Sequence, residues 1–328
     1  MRFATLPDGT ADGRLHLVSR DHTRCTPARG VTTLQALMER WDHHAPELQH
    51  QYEALNAGGG APFDPSDALA PMPRAWQWLD GSAYESHGAL MQKVFGLEPN
   101  DTTRPLMYQG MSDRFLPATA DVPLPSEEDG IDFEGEFGVI CDAVPMGTAA
   151  DAAHGHIRLI LQINDWSLRT LAPIEMKTGF GWVQAKPACS MAPVAVTPDE
   201  LGPAWRDARV DLPLIVDWNG TRFGAAGGYD MGFGFDQLIA HAARTRDLVP
   251  GTVIGSGTVS NANFRDIGSS CIAERRGIEM LDHGAPRTGY MRFGDRVRME
   301  CRAKDGAPLF GAIDQQVVAA PQPPSARK

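Results

Sequence analysis

The chain has 328 residues, 42% of them hydrophobic, and a formal net charge of −11. That length supports a sizeable core and stands at the upper end for a single domain. An acidic balance without a basic run argues against nucleic acid as a partner, and no apolar stretch approaches the ~18 residues of a membrane span. The opening MRFATLPDGT has no apolar signal core, and Cys25, Cys141, Cys189, Cys271 and Cys301 show no C-x-x-C spacing. Both features fit a reducing cytoplasm and no disulfide framework.

The first residues alternate as two short strands, MRFATL and RLHLVSR, joined by the turn-forming PDGTADG. Leu34, Leu37, Met38 and Trp41 then fall at helical spacing, which predicts a helix over Thr33–Ala57 broken at Pro46. His43, His44 and His50 on it read as a solvated polar face. A Gly/Ala/Pro-rich connector, Asn56–Pro73, reads as a linker. The expected division is a small N-terminal unit over 1–71 and a larger domain over 72–328. From Arg74 onward short strands and turns dominate, so the fold class is mostly β, of the α+β type.

Ile131–Val139 has the two-residue period of a strand. Ile131, Phe133, Phe137 and Val139 share one face, and Asp132, Glu134 and Glu136 share the other. Glu134 and Glu136 thus point the same way with Cβ atoms roughly 6–7 Å apart. Like charges that close raise each other's pKa unless a cation lies between them. Hard oxygen ligands without His or Cys favour Mg²⁺, Mn²⁺ or Ca²⁺ over zinc. Taken alone, E-x-E also fits a solvated strand face. HIRLILQIN (156–164) reads as a buried strand ending at Asp165, a residue placed either to reach a neighbouring strand's site or to cap the following turn.

Further on, GGYDMGFGFD lacks the Gly-Lys-Ser/Thr ending of a phosphate loop and reads as a turn into a helix over Phe235–Leu248. Tyr290–Val318 reads as paired strands with turns at Gly294-Asp295 and Asp305-Gly306. The final AAPQPPSARK has a disordered composition.

The ordered set DFEGEFGVI, NDWSLR, GWVQAKPACSMAPV and GSGTVSN resembles the fumarylacetoacetate hydrolase family over about residues 72–316. Residues 1–71 resemble the short N-terminal domain of some bacterial members. The resemblance implies a mixed β-sheet roll, a homodimer, and a divalent cation, normally Mg²⁺ or Ca²⁺, held by Glu134, Glu136 and Asp165. The metal would chelate the two oxygens of a 2-keto acid or 1,3-diketo substrate. Lys186 takes the family's active-site lysine position, suited to stabilising an enolate. Arg169 and Thr258 fall at positions near metal or substrate.

The resemblance also places a general base. Gly81, Tyr84 and His87 match the spacing of the family's G-x-N-Y-x-x-H-x-x-E segment, which closes over the substrate, but Leu90 stands where its acid would be. Glu274, in SSCIAERRGIE, is the downstream alternative as partner of His87. In PLMYQGMSD, Gly110 replaces a lysine common in decarboxylase and pyruvate-hydrolase relatives, leaving Tyr108, Gln109 and Asp113 for polar contacts. Hydrolytic C–C cleavage of an acylpyruvate or other β-diketo acid, in aromatic catabolism, is the leading expectation. An isomerase, hydratase or decarboxylase of a 2-oxo dicarboxylate on the same metal is the alternative, and an inactive metal-binding protein is a third.

Overall fold

A computed structural model describes residues 1–96 and 103–321. Residues 322–328 of the C-terminal AAPQPPSARK lie outside the described set. The architecture is a mixed α+β fold built on two large sheets.

The spine of the first sheet is Gly135–Cys141 paired antiparallel with Ile157–Asn164, in a register that sets Glu136 opposite Ile163. Outward from Ile157–Asn164 come Ala195–Val196, Arg2–Leu6, Arg14–Val18, Arg24–Pro27 and Ala61–Pro62. Outward from Gly135–Cys141 come Thr252–Gly255, Trp78–Gly81 and Met107–Gly110. The N-terminal strands therefore extend the same sheet that carries the E-x-E segment, through pairing of Phe3 with Ala195. Within the Asn56–Pro73 stretch, Ala61–Pro62 pairs with Arg24–Pro27.

HIRLILQIN is apolar on both faces because both faces are covered. Leu159, Leu161 and Ile163 pack into one core with Phe3, Leu15, Leu17 and Tyr52. Ile160 packs into the other core with Phe137, Val139 and Phe310. Burying each such Leu or Phe contributes about 1.5–3 kcal/mol. Gln162, fully buried, exchanges hydrogen bonds with Met299 O (3.0 Å) and Cys301 N (2.7 Å), which fastens this strand to the second sheet. That sheet runs Thr221–Gly227, Pro213–Trp218, Arg296–Glu300, Ile313–Ala319 and Val122–Leu124. Its Arg296–Glu300 and Ile313–Ala319 members are the paired strands expected in the Tyr290–Val318 stretch.

Three expectations need correcting. The N-terminal helix breaks at Arg40, between Leu34–Glu39 and Trp41–Asn56, while Pro46 lies inside the second piece. Arg40 has φ −140° and ψ 41°, outside helical geometry, and Thr33 caps the first piece by accepting from Ala36 N at 3.1 Å. Ile131–Val139 is not one strand either: Ile131–Asp132 pairs with Ser167–Leu168 in a small sheet of its own, Gly135–Cys141 belongs to the large sheet, and Glu134 between them bridges to Cys271. Its second face is not solvated, since Asp132, Glu134 and Glu136 are all buried. The helix after the glycine-rich turn spans Phe235–Ala242 and tightens into a 3₁₀ turn over Ala243–Thr245.

Candidate active site

The site grows from the place where the spine strands end. Asn164 Oδ1 accepts from Glu134 N (3.0 Å), and Asp165 N donates to Glu134 O (3.0 Å), so one side-chain and one backbone bond join the two acidic segments. On the other side, Gly255 faces Asp80 across the parallel pairing of Thr252–Gly255 with Trp78–Gly81. A Cβ on Gly255 would stand 2.3 Å from Asp80 Oδ1, so a glycine is what leaves room for that carboxylate. Gly257 N then donates to Asp80 Oδ1 at 3.1 Å.

These elements bring Asp80, Glu136 and Asp165 together, each offering a carboxylate oxygen within 4.8 Å of the others. All three are buried. Among the described residues no donor reaches either oxygen of Glu136. Burial, then Asp80 and Asp165, push the Glu136 carboxyl well above the usual carboxylate range. Burial and Asp165 do the same to Asp80. Such a cluster is costly unless a cation or shared protons neutralise it, and its all-oxygen donor set suits Mg²⁺, Mn²⁺ or Ca²⁺. The residues present therefore fit a hard divalent ion.

Glu134 stands apart from that trio. Its Oε1 receives Lys186 Nζ at 2.7 Å, forms an ion pair with Arg169 at 3.0 Å and accepts from Ser167 Oγ. Its Oε2 accepts from Thr258 Oγ1 at 2.5 Å. Burial would raise this carboxyl, but Arg169 and Lys186 outweigh it and hold it below the usual range. The expected set of Glu134, Glu136 and Asp165 is thus joined by a fourth acid, Asp80, and both Glu134 and Asp165 carry the Lys186 ammonium. Sequence reasoning missed Asp80, which lies in the strand Trp78–Gly81.

Lys186 Nζ also reaches Asp165 Oδ2 at 2.6 Å. Burial opposes the ammonium charge, but Asp165 and Glu134 prevail and raise its pKa above the ordinary lysine value. Tyr108 donates to the same Asp165 oxygen at 2.6 Å and packs edge-on to Trp182 with ring centroids 4.8 Å apart. Cys189 Sγ donates to Asp165 Oδ1 at 2.8 Å. Tyr84 is buried with its hydroxyl donating to Gly228 O at 2.9 Å, so its polar tip is already used.

His87 sits in the first turn of the helix Glu85–Phe95 and remains partly exposed. Its Nδ1 lies 3.5 Å from Glu274 Oε2, on the first turn of the helix Ile272–His283. The two helices touch at Gly277, where a Cβ would stand 2.9 Å from Met91. Leu90 is buried in this same seam, which explains why no acid stands there. Cys271 lies with His87 and Glu274 within 4.8 Å, and it caps the second helix by accepting from Glu274 N at 3.3 Å. Burial and Asp132 raise its thiol pKa, so it remains protonated and acts as a cap.

The fold and the site together define a class: an α+β protein whose mixed sheet buries a carboxylate trio beside a charged lysine and a His–Glu pair. The model of the fumarylacetoacetate hydrolase C-terminal domain matches residues 77–318, and that of fumarylacetoacetase N-terminal domain 2 matches residues 1–74. The chain belongs to the fumarylacetoacetate hydrolase family. A 2,4-didehydro-3-deoxy-L-rhamnonate hydrolase from Sphingomonas sp. (strain SKA58) is 28% identical over 159 residues, 48% of this chain and 53% of that protein. The chain thus spans about half the length of this curated relative.

Maleylpyruvate hydrolase from Sphingobium sp. SYK-6, solved with manganese(II) and pyruvate, superposes with TM-score 0.66 at 18% identity, covering 98% of this chain and 100% of that one. A fumarylacetoacetate hydrolase from Exiguobacterium antarcticum gives 0.63 at 18%, covering 97% and 99%. A 5-carboxymethyl-2-hydroxymuconate delta-isomerase from Mycobacterium smegmatis gives 0.59 at 17%, covering 98% and 100%. Among the described residues no helix is long and apolar enough to cross a membrane.

Proposed function

We infer that this protein is a divalent-metal-dependent hydrolase that cleaves a carbon–carbon bond in an acylpyruvate or other β-diketo acid. The observation that carries the reading is the buried Asp80–Glu136–Asp165 trio, with both Glu136 oxygens lacking a donor among the described residues, directly beside the charged Lys186. Asp80, Glu136 and Asp165 would hold the ion, with Glu134 behind them fixing Lys186. The bound dication, Mg²⁺ or Mn²⁺ with Ca²⁺ also suited, would supply Lewis-acid polarisation of the keto and enolate oxygens.

His87 takes a proton from water, and Glu274 orients the imidazole and offsets its positive charge. The resulting hydroxide adds to the acyl carbonyl. The carbon–carbon bond then breaks to release a carboxylic acid and an enolate, which is protonated to the 2-oxo acid. Two of the three Lys186 N–H groups go to Glu134 and Asp165, which leaves the third to stabilise the departing enolate oxygen. Arg169 and Thr258 act through Glu134, and Tyr108 with Trp182 forms an aromatic wall around the ammonium.

The setting that fits is aromatic catabolism in the cytoplasm, with a homodimer as the working form. Solved relatives carry both hydrolase and isomerase names, so the test includes the products. Purified protein with Mn²⁺ is given a panel of acylpyruvates, and loss of enol absorbance is followed with and without EDTA. EDTA-sensitive turnover yielding two acids supports the reading. Turnover without mass change or with CO₂ release favours an isomerase or decarboxylase, and no turnover across the panel contradicts an enzyme of this class.

A further inference from the structure

One short segment, 257–260, touches both halves of the site. Gly257 N holds Asp80, Thr258 Oγ1 holds Glu134, and Ser260 Oγ donates to Glu274 Oε1 at 2.8 Å. Val259 N, between them, is pinned to Gly135 O at 2.9 Å. Ser260 is 1% exposed and in turn accepts from Ser86 Oγ at 2.8 Å. Ser86 immediately precedes His87.

With Oε1 occupied by Ser260, Oε2 is the Glu274 oxygen that faces His87 Nδ1. Neither of those two facing atoms has a hydrogen-bond partner among the described residues, and the two stand 3.5 Å apart. The terminal torsion of a glutamate is broad and soft, so a carboxylate held at one oxygen is far better aimed than a free one. We propose that Ser260 is a positioning residue for the reaction: its hydroxyl fixes Glu274 so that Oε2 stays directed at His87, and Ser86 closes the relay back to the histidine's own helix. This rests on the His87–Glu274 assignment made above.

The test has a readout that needs no substrate. Imidazole ¹⁵N spectra of the metal-free protein, with the His87 signals assigned through His87→Gln, are predicted to show the Nδ1–H tautomer. Ser260→Ala is expected to mix the tautomers and Ser86→Ala to do so partially, while Ser260→Thr, which keeps the hydroxyl, restores the wild-type pattern. In turnover of the best acylpyruvate of the panel, Ser260→Ala is expected to lower kcat about 10-fold or more with KM within about twofold. The double variant Ser260→Ala/Glu274→Gln should be no slower than Glu274→Gln alone, because Ser260 acts only through that side chain.

An unchanged His87 spectrum in both serine-to-alanine variants, or losses that multiply in the double variant, would overturn the proposal. Full activity of Glu274→Gln would instead sink the acid–base assignment, and the tautomer spectra would still report whether Ser260 orients Glu274. A Ser260→Ala chain that fails to fold leaves Ser86→Ala, on the partly buried end of the relay, to decide the matter.

Discussion

Asp132 grips Arg169 through Nε at 2.8 Å, and the same carboxylate caps the helix that carries Glu274 by accepting from Ile272 N (2.7 Å) and Ala273 N (2.9 Å). Arg169 in turn pairs with Glu134 at 3.0 Å. One fully buried acid therefore ties the lysine-and-carboxylate cluster to the helix bearing Glu274. A carboxylate suits the end of this helix because the N-terminal N–H groups are otherwise unsatisfied.

Replacing Asp132 by Asn is expected to cost about 3 kcal/mol, since it removes one partner of a buried ion pair and weakens the cap. Urea unfolding of the metal-free protein measures this directly. A midpoint equal to that of the parent would contradict the bridging role.

Glu136→Gln tests the trio in two opposite directions. Metal affinity, measured by titration calorimetry with Mn²⁺, should fall by about 100-fold, and turnover should be lost. In EDTA, however, the variant should be as stable as the parent or more so, because a buried carboxylate without a donor has become neutral. A variant less stable than the parent in EDTA would mean that Glu136 has a partner not accounted for.

Metal-free stability should depend on pH in the sense opposite to an ordinary acid-labile protein. Glu136 and Asp80 have folded pKa values raised above the unfolded carboxylate range. Their contribution is complete below that range and is lost as pH rises through the raised folded values. Glu134, held low, loses its contribution only in strong acid. The thermal midpoint in EDTA should therefore drop by about 3 °C or more between about pH 5 and about pH 8. Saturating Mn²⁺ should cancel the drop, and its affinity should rise with pH as protons leave the ligands. A midpoint in EDTA that climbs steadily over this range would contradict the assignment.

Lys186→Met removes the cation shared by Glu134 and Asp165. A kcat loss of about 10²–10³-fold is expected, together with a lower unfolding midpoint, because two buried carboxylates lose their shared partner. Steady-state kinetics on the preferred acylpyruvate supplies the check, and an unchanged kcat would remove Lys186 from the enolate step.

Much of this arrangement was legible in the residues. Glu134, Glu136, Asp165, Lys186, Arg169 and Thr258 lie in motifs near the ends of a few short segments, and they converge in the fold. Asp80 was not legible, because its place depends on a parallel pairing with a strand about 175 residues away and on the space left by Gly255. Local patterning carries no trace of such a contact. Strand periodicity sets Glu134 beside Glu136, and in the fold its Oε1 receives Lys186 and Arg169. Likewise Pro46 predicts a helix break in the sequence, yet the break falls at Arg40, since helix ends depend on packing and caps as well as on proline.

Crystals of the active protein grown with Mn²⁺, with anomalous diffraction recorded at the manganese edge, bear most directly on the whole scheme. A single strong peak within about 2.0–2.3 Å of oxygens from Asp80, Glu136 and Asp165 is the predicted result, with Lys186 still paired to Glu134. Active crystals with no peak among those three carboxylates, or with the ion lodged elsewhere, would contradict it.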